Sequence, residues 1–179
     1  YAGADAALKK AASLSDSPQI TEARARLEVA RGNPRNALRL LAGGPQTVQS
    51  LWEQQYVHGA LGDRRAAVQA EERALKLAKP GGAEQGSALN NLGVALYEAG
   101  ESRRALELYE KSVAAFQQVA SNPSPQLSSI AKTHIPMVAA NLGLAFWQAG
   151  DLAKAGEAFR GALDGRAFYE TRGDALNNE

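Results

Sequence analysis

NLGVALYEAGESRRALELYEKSV (Asn91–Val113) and NLGLAFWQAGDLAKAGEAFRGAL (Asn141–Leu163) are two versions of one pattern. Both run Asn-Leu-Gly, then Ala, then Ala-Gly-acid, then Ala, then an aromatic residue nine positions after the second Gly, Tyr109 or Phe159. The central part recurs twice more. A Gly, a small polar or acidic residue and an Ala five positions after the Gly occur as Gly32-Asn33 with Ala37, Gly62-Asp63 with Ala67, Gly100-Glu101 with Ala105 and Gly150-Asp151 with Ala155. Gly accepts the left-handed backbone that ends a helix. Asn, Asp or Glu after it favours the next helix by capping or by its charge at the helix start. The Ala lets the second helix lie close to the first. The unit is a tight helix–turn–helix.

Tandem helical hairpins of this kind resemble the tetratricopeptide repeat. The resemblance rests on Leu92, Gly93, Gly100, Ala105 and Tyr109 in one unit, and on Leu142, Gly143, Phe146, Gly150, Ala155, Phe159 and Ala162 in the other. The other units depart from it. Gln54-Gln55 replaces Leu-Gly before Gly62, Glu71 stands where Tyr109 and Phe159 stand, and Gly43-Gly44-Pro45 shortens the second helix after Gly32. The Gly-to-Gly spacings are 62−32 = 30, 100−62 = 38 and 150−100 = 50, against about 34 for a regular repeat. The excess falls around Pro123, Pro125 and Pro136, which predict a longer preceding helix, a loop near Asn122–Pro125 and a lengthened or kinked entry into the next unit. Gly81–Ser87 lacks the Lys and the preceding strand of a phosphate-binding loop and reads as a flexible link.

The expected organisation is a single array. Residues 1–17 form the second helix of a truncated repeat, 18–45, 46–80 and 84–121 are repeats, 122–135 is an insert, 136–165 is a repeat, and 166–179 starts a further repeat or tail. Ala175-Leu176-Asn177-Asn178 echoes Ala88-Leu89-Asn90-Asn91, so the chain reads as a piece of a longer array. A single helical pair cannot bury its apolar side alone, so the units must stack. The resemblance implies an all-α, right-handed α-solenoid of about ten helices in antiparallel pairs, with first helices lining a concave face.

Composition narrows the function classes. Of 179 residues, 45% are hydrophobic and 6% aromatic, with Ala and Leu dominant, which favours closely packed helices over a sheet. Twenty Lys+Arg against 19 Asp+Glu give a net charge of +1 and no general reason to expect nucleic acid. The absence of cysteine excludes a disulfide framework, a thiolate nucleophile and a Cys-based zinc site. No apolar run nears the roughly 20 residues that span a bilayer. No targeting segment is visible, and cytoplasm and periplasm stay open. His58 and His134 lie in different units, neither at metal-ligand spacing, with His134 expected in a loop or helix entry. No nucleophile elbow or paired carboxylate stands out, so no enzyme activity, cofactor or metal is expected.

What remains is binding. The concave face implied by the resemblance, followed at spacings of three and four, offers Ser87, Asn90, Asn91, Val94, Tyr97 and Glu98 in one unit. In the next it offers Met137, Ala140, Asn141, Leu144, Trp147 and Gln148, and in the Gly62 unit Trp52, Glu53 and Tyr56. Asn91 and Asn141 hold matching places, and a side-chain amide can grip a peptide backbone through donor and acceptor together. The alternative is that each amide bonds within its own array. Trp52, Tyr97 and Trp147 are candidate apolar anchors. Val94, Ala140 and Leu144 stand where a carboxylate-clamp variant carries Lys and Arg, so a free C-terminal carboxylate is not the expected ligand. Arg64-Arg65 and Arg103-Arg104 read as solvated outer surface, while Arg24, Arg26, Arg31, Arg35 and Arg39 form a denser basic run that could meet an acidic segment. The expected function is a protein–protein interaction scaffold that holds a partner peptide or helix in the concave groove, without nucleic acid or membrane insertion, and with self-association as a further expectation. The alternatives are a substrate-recruiting region of a larger enzyme, or an assembly module of a bacterial envelope secretion, polysaccharide-export or pilus system.

Overall fold

The computed structural model describes residues 2–14 and 17–176, all of whose regular structure is helical. It divides into two compact units, Tyr1–Leu77 and Ala78–Glu179. The first holds α1 (Ala2–Leu14), α2 (Pro18–Ala30), α3 (Pro34–Gly43), α4 (Val48–Ala60) and α5 (Arg64–Leu77). The second holds α6 (Ala83–Glu98), α7 (Ser102–Ala120), α8 (Pro125–Gln148) and α9 (Leu152–Leu176). Within each unit every helix packs on the next, and the first helices of successive pairs also touch, α2 on α4 and α6 on α8.

The four turn glycines explain the hairpins. Gly32, Gly62, Gly100 and Gly150 have φ between 75° and 86°, a backbone that side chains rarely adopt. Each turn closes the same way. At Gly100 the glycine N–H donates to the Tyr97 carbonyl at 3.0 Å, and the Glu101 N–H reaches back to Leu96 at 2.8 Å. That pair of bonds satisfies carbonyls the helix end would otherwise strand. The residue after the glycine acts less uniformly than expected. Asp63 and Asp151 cap, their Oδ1 accepting from Ala66 N at 3.1 Å and Lys154 N at 3.2 Å. Asn33 and Glu101 make no side-chain cap. Asn33 instead donates to Glu28, and Glu101 accepts from Arg104. The four alanines, Ala37, Ala67, Ala105 and Ala155, are all buried.

The Gly-to-aromatic pairing is a steric fit. A Cβ on Gly93 would stand 2.6 Å from Tyr109 Cε1, and one on Gly143 would stand 2.6 Å from Phe159 Cε1. The aromatic ring of the second helix therefore lies flush on the backbone of the first. Gly93→Ala is expected to cost about 1–3 kcal/mol by overpacking, because the buried Tyr109 ring cannot retreat. Gly161→Ala in α9, where nothing lies within 4 Å of the added carbon, should instead stabilise by up to about 1 kcal/mol through helix propensity. Paired denaturant titrations check the opposite signs.

Two local readings are corrected. Gly81–Ser87 is not a flexible link: α6 begins at Ala83, and Gly86 is buried within it. The short approach is tied down, with Lys79 N donating to Glu84 Oε2 at 3.0 Å and Gly81 N to Gln85 Oε1 at 2.9 Å. Of the two places expected for His134 the loop is ruled out and the helix entry holds, because residues 125–135 extend α8 toward its N-terminus and the helix runs on through Pro136. Only Ser121–Ser124 separate α7 from α8. Pro125 takes the first helical position, where a missing N–H costs nothing. The described helices number nine, and α9 continues to Leu176; the Asn177-Asn178 echo and Tyr1 lie outside the described residues.

Candidate protein-binding face

In the second unit the packing of α6 on α8 brings the Asn residues together. Asn141 Nδ2 donates to Asn90 Oδ1 at 2.9 Å, and Asn90 Nδ2 donates to Asn91 Oδ1 at 3.4 Å. Asn90 is only 4% exposed, so it is the buried link of this relay and not a surface contact. Asn91 and Asn141 are half-buried beside it. Each keeps hydrogen-bonding capacity beyond the relay, since an amide carries two donors and an acceptor with two lone pairs. The matching places of Asn91 and Asn141 are real, but the bond runs from Asn141 to the neighbouring Asn90.

Beside the relay α8 exposes large apolar side chains. Leu144 is 43% exposed and Trp147 61%, with Met137, Ile130 and Leu127 also exposed further up α8. Val94 and Tyr97 of α6 are half-buried, and Glu98 is exposed. Gln148 accepts from Ser102 Oγ at 2.8 Å, which joins the end of α8 to the start of α7. Ile130 and Leu127 were missed in the sequence, although Ile130, Met137 and Leu144 recur at intervals of seven, a spacing that keeps residues on one helix side. Burial pushes the Tyr109 phenol up, helped by Tyr97 and Glu98 nearby, so Tyr109 is a neutral core group.

Trp52 and Tyr56 belong to the first unit. Tyr56 is 61% exposed, whereas Trp52 is half-buried with its Nε1 buried and unpaired. Glu53 on the same helix accepts from the Arg26 guanidinium, which joins α4 to α2. In this unit Glu71 occupies the place of the aromatic ring. It is fully buried, neither carboxylate oxygen has a hydrogen-bond partner, and burial pushes its pKa up to about 8. Among the described residues no group of three His, Cys, Asp or Glu could hold a metal ion, and no helix is long and apolar enough to cross a membrane.

Comparison with known families agrees with this geometry. Two family models, both described as tetratricopeptide repeat, match residues 86–126 and 129–170. Over these two stretches the chain carries tetratricopeptide repeats. Solved structures of the same architecture include MamA, with a TM-score of 0.67 at 18% identity, covering 92% of this chain and 87% of that one. The TPR-like repeats of a kinesin light chain-type protein from Podosopora anserina give a TM-score of 0.64 at 18% identity, covering 90% and 85%. BtubC (BKLC) from P. vanneervenii gives 0.51 at 16% identity, covering 94% and 90%. At these identities the likeness establishes the fold: an all-α solenoid of tetratricopeptide-type hairpins. No curated protein matches the sequence. The general role that goes with tetratricopeptide repeats is that of a protein-interaction scaffold.

Proposed function

We propose that the face shared by α6 and α8 holds an extended or helical segment of a partner protein. The observation that carries this reading is the apolar run Met137, Leu144 and Trp147 lying open beside the Asn141–Asn90–Asn91 relay. Large exposed side chains supply the contact area that dominates interface energetics, and the amides beside them supply sequence-tolerant bonds to a peptide backbone.

Truncating Asn141 would blur a test, because it strands the buried Asn90 oxygen as well as removing a surface amide. Leu144→Ser with Trp147→Ser is the cleaner probe, since both side chains are exposed and such changes usually alter stability by no more than about 0.5 kcal/mol. Proteins captured from the source organism by the parent are expected to be lost by this double variant at unchanged helicity, and kept by Arg103→Ser on α7. Equal capture by parent and double variant would remove the partner from this face.

A further inference from the structure

A second site lies in the first unit, independent of the α6–α8 face. Three helices line an open pocket of about 300 Å³, with Lys9 from α1, Arg24 and Leu27 from α2, and Arg39 and Leu40 from α3 on its walls. It sits at the small end of the roughly 300–1,000 Å³ range of ligand pockets, a size suited to side chains inserted from outside.

Glu28, the one acid among the described residues of the wall, is already engaged. Its Oε1 accepts from Arg31 at 2.9 Å, and its Oε2 accepts from Asn36 at 3.2 Å and Asn33 at 3.3 Å. The Arg31 bond, followed by that of Asn36, holds its carboxyl below the ordinary glutamate range. Its charge is therefore committed to Arg31. Arg24 and Arg39 meet no carboxylate among the described residues, and they approach the cavity from different helices. Two guanidinium forks from neighbouring helices can bracket an anion with directed, charge-assisted bonds. Leu27 and Leu40 beside them decide what kind of anion. Inorganic phosphate or a nucleic-acid backbone leaves those leucines wet, whereas an acidic peptide buries them under its own apolar neighbour.

We infer that the α1–α2–α3 cavity binds an acidic segment of a partner protein, taking a Glu or Asp carboxylate between Arg24 and Arg39 and an adjacent apolar side chain against Leu27 and Leu40. The basic run noted in the sequence thus divides by role. Arg26 and Arg31 are spent on Glu53 and Glu28, and Arg24 and Arg39 face the ligand.

The test uses a fluorescein-labelled peptide of alternating Glu and Leu, read by anisotropy against the whole chain. The parent is expected to bind it, and the Gln-for-Glu version about tenfold more weakly. Arg24→Gln combined with Arg39→Gln should raise the Kd by about tenfold or more, at unchanged circular dichroism. Arg64→Gln with Arg65→Gln, exposed on α5, should leave it unchanged. Absence of binding to the parent, equal binding of the Gln peptide, or an unaltered Kd in the Arg24/Arg39 variant would each overturn the site. Displacement of the peptide by an equimolar RNA oligonucleotide would overturn its assignment to acidic protein.

Discussion

Replacing Phe116 by alanine should destabilise the second unit by about 3–5 kcal/mol, the cost of removing a fully buried aromatic side chain. The ring is completely buried and serves three helices at once. From α7 it reaches α6, where a Cβ on Gly86 would stand only 2.9 Å from its Cε2. On its other side it stacks on His134 of α8, with ring centroids 5.0 Å apart and planes 20° from parallel. Ser112, one turn earlier on α7, bonds the Gly86 carbonyl at 2.7 Å, so the same spot on α6 is held by a ring and a hydroxyl. Alanine leaves a cavity that the helices cannot close without breaking the Ser112 bond. Chemical denaturation followed by far-UV circular dichroism gives the loss, and amide exchange should rise first in residues 125–135. A loss under about 1 kcal/mol would show that the ring is not the wedge between α6 and α8.

The second large effect has the opposite sign. Glu71→Met should stabilise the first unit at neutral pH by roughly 3 kcal/mol, from the energy equivalent of a shifted pKa. The ordinary glutamate value of 4.5 is pushed up to about 8 by burial, with no partner for either oxygen. Below about pH 4.5 the carboxyl is neutral in both folded and unfolded chains, and the shift costs nothing. Above that the unfolded chain ionises while the folded chain resists. Stability therefore falls as pH rises from about 4.5 to about 8 and levels off beyond. Methionine has similar reach and no charge, so the variant should lose that slope. Unfolding midpoints read from Trp52 fluorescence across this range give the comparison, with Trp147 replaced by Phe to silence the second unit. A parent as flat with pH as the variant would mean that Glu71 ionises without penalty.

Why some of this could be read from the sequence and some could not is a matter of range. The glycine turns were legible because a left-handed residue and the acid or amide after it are neighbours in the chain, and the bonds they make close within five residues. The Gly93–Tyr109 fit was half legible: the spacing marked both residues, and only the packing shows the ring lying on the bare backbone. Glu71 was visible as a departure from the aromatic pattern, but not as a buried, unpartnered acid. That depends on the layers closing around it. The Asn relay was beyond local reasoning, because Asn141 and Asn90 lie 51 positions apart and meet through the register of α6 on α8. Gly86 misled because glycine usually signals a link. Here it is bare for the sake of Phe116, 30 residues on.

The long helix α8 has one more property. Across its 24 residues Lys132 is the sole Lys, Arg, Asp or Glu. A partner arriving on that face meets little charge beyond Lys132 and the exposed Glu98 of α6, so its encounter rate should stay close to the unsteered 10⁵–10⁶ M⁻¹s⁻¹ and change little between dilute buffer and high salt. The arginine-walled cavity of the first unit attracts at a distance and loses its hold as ions screen it. Ionic strength is thus a dial that silences one site and leaves the other speaking.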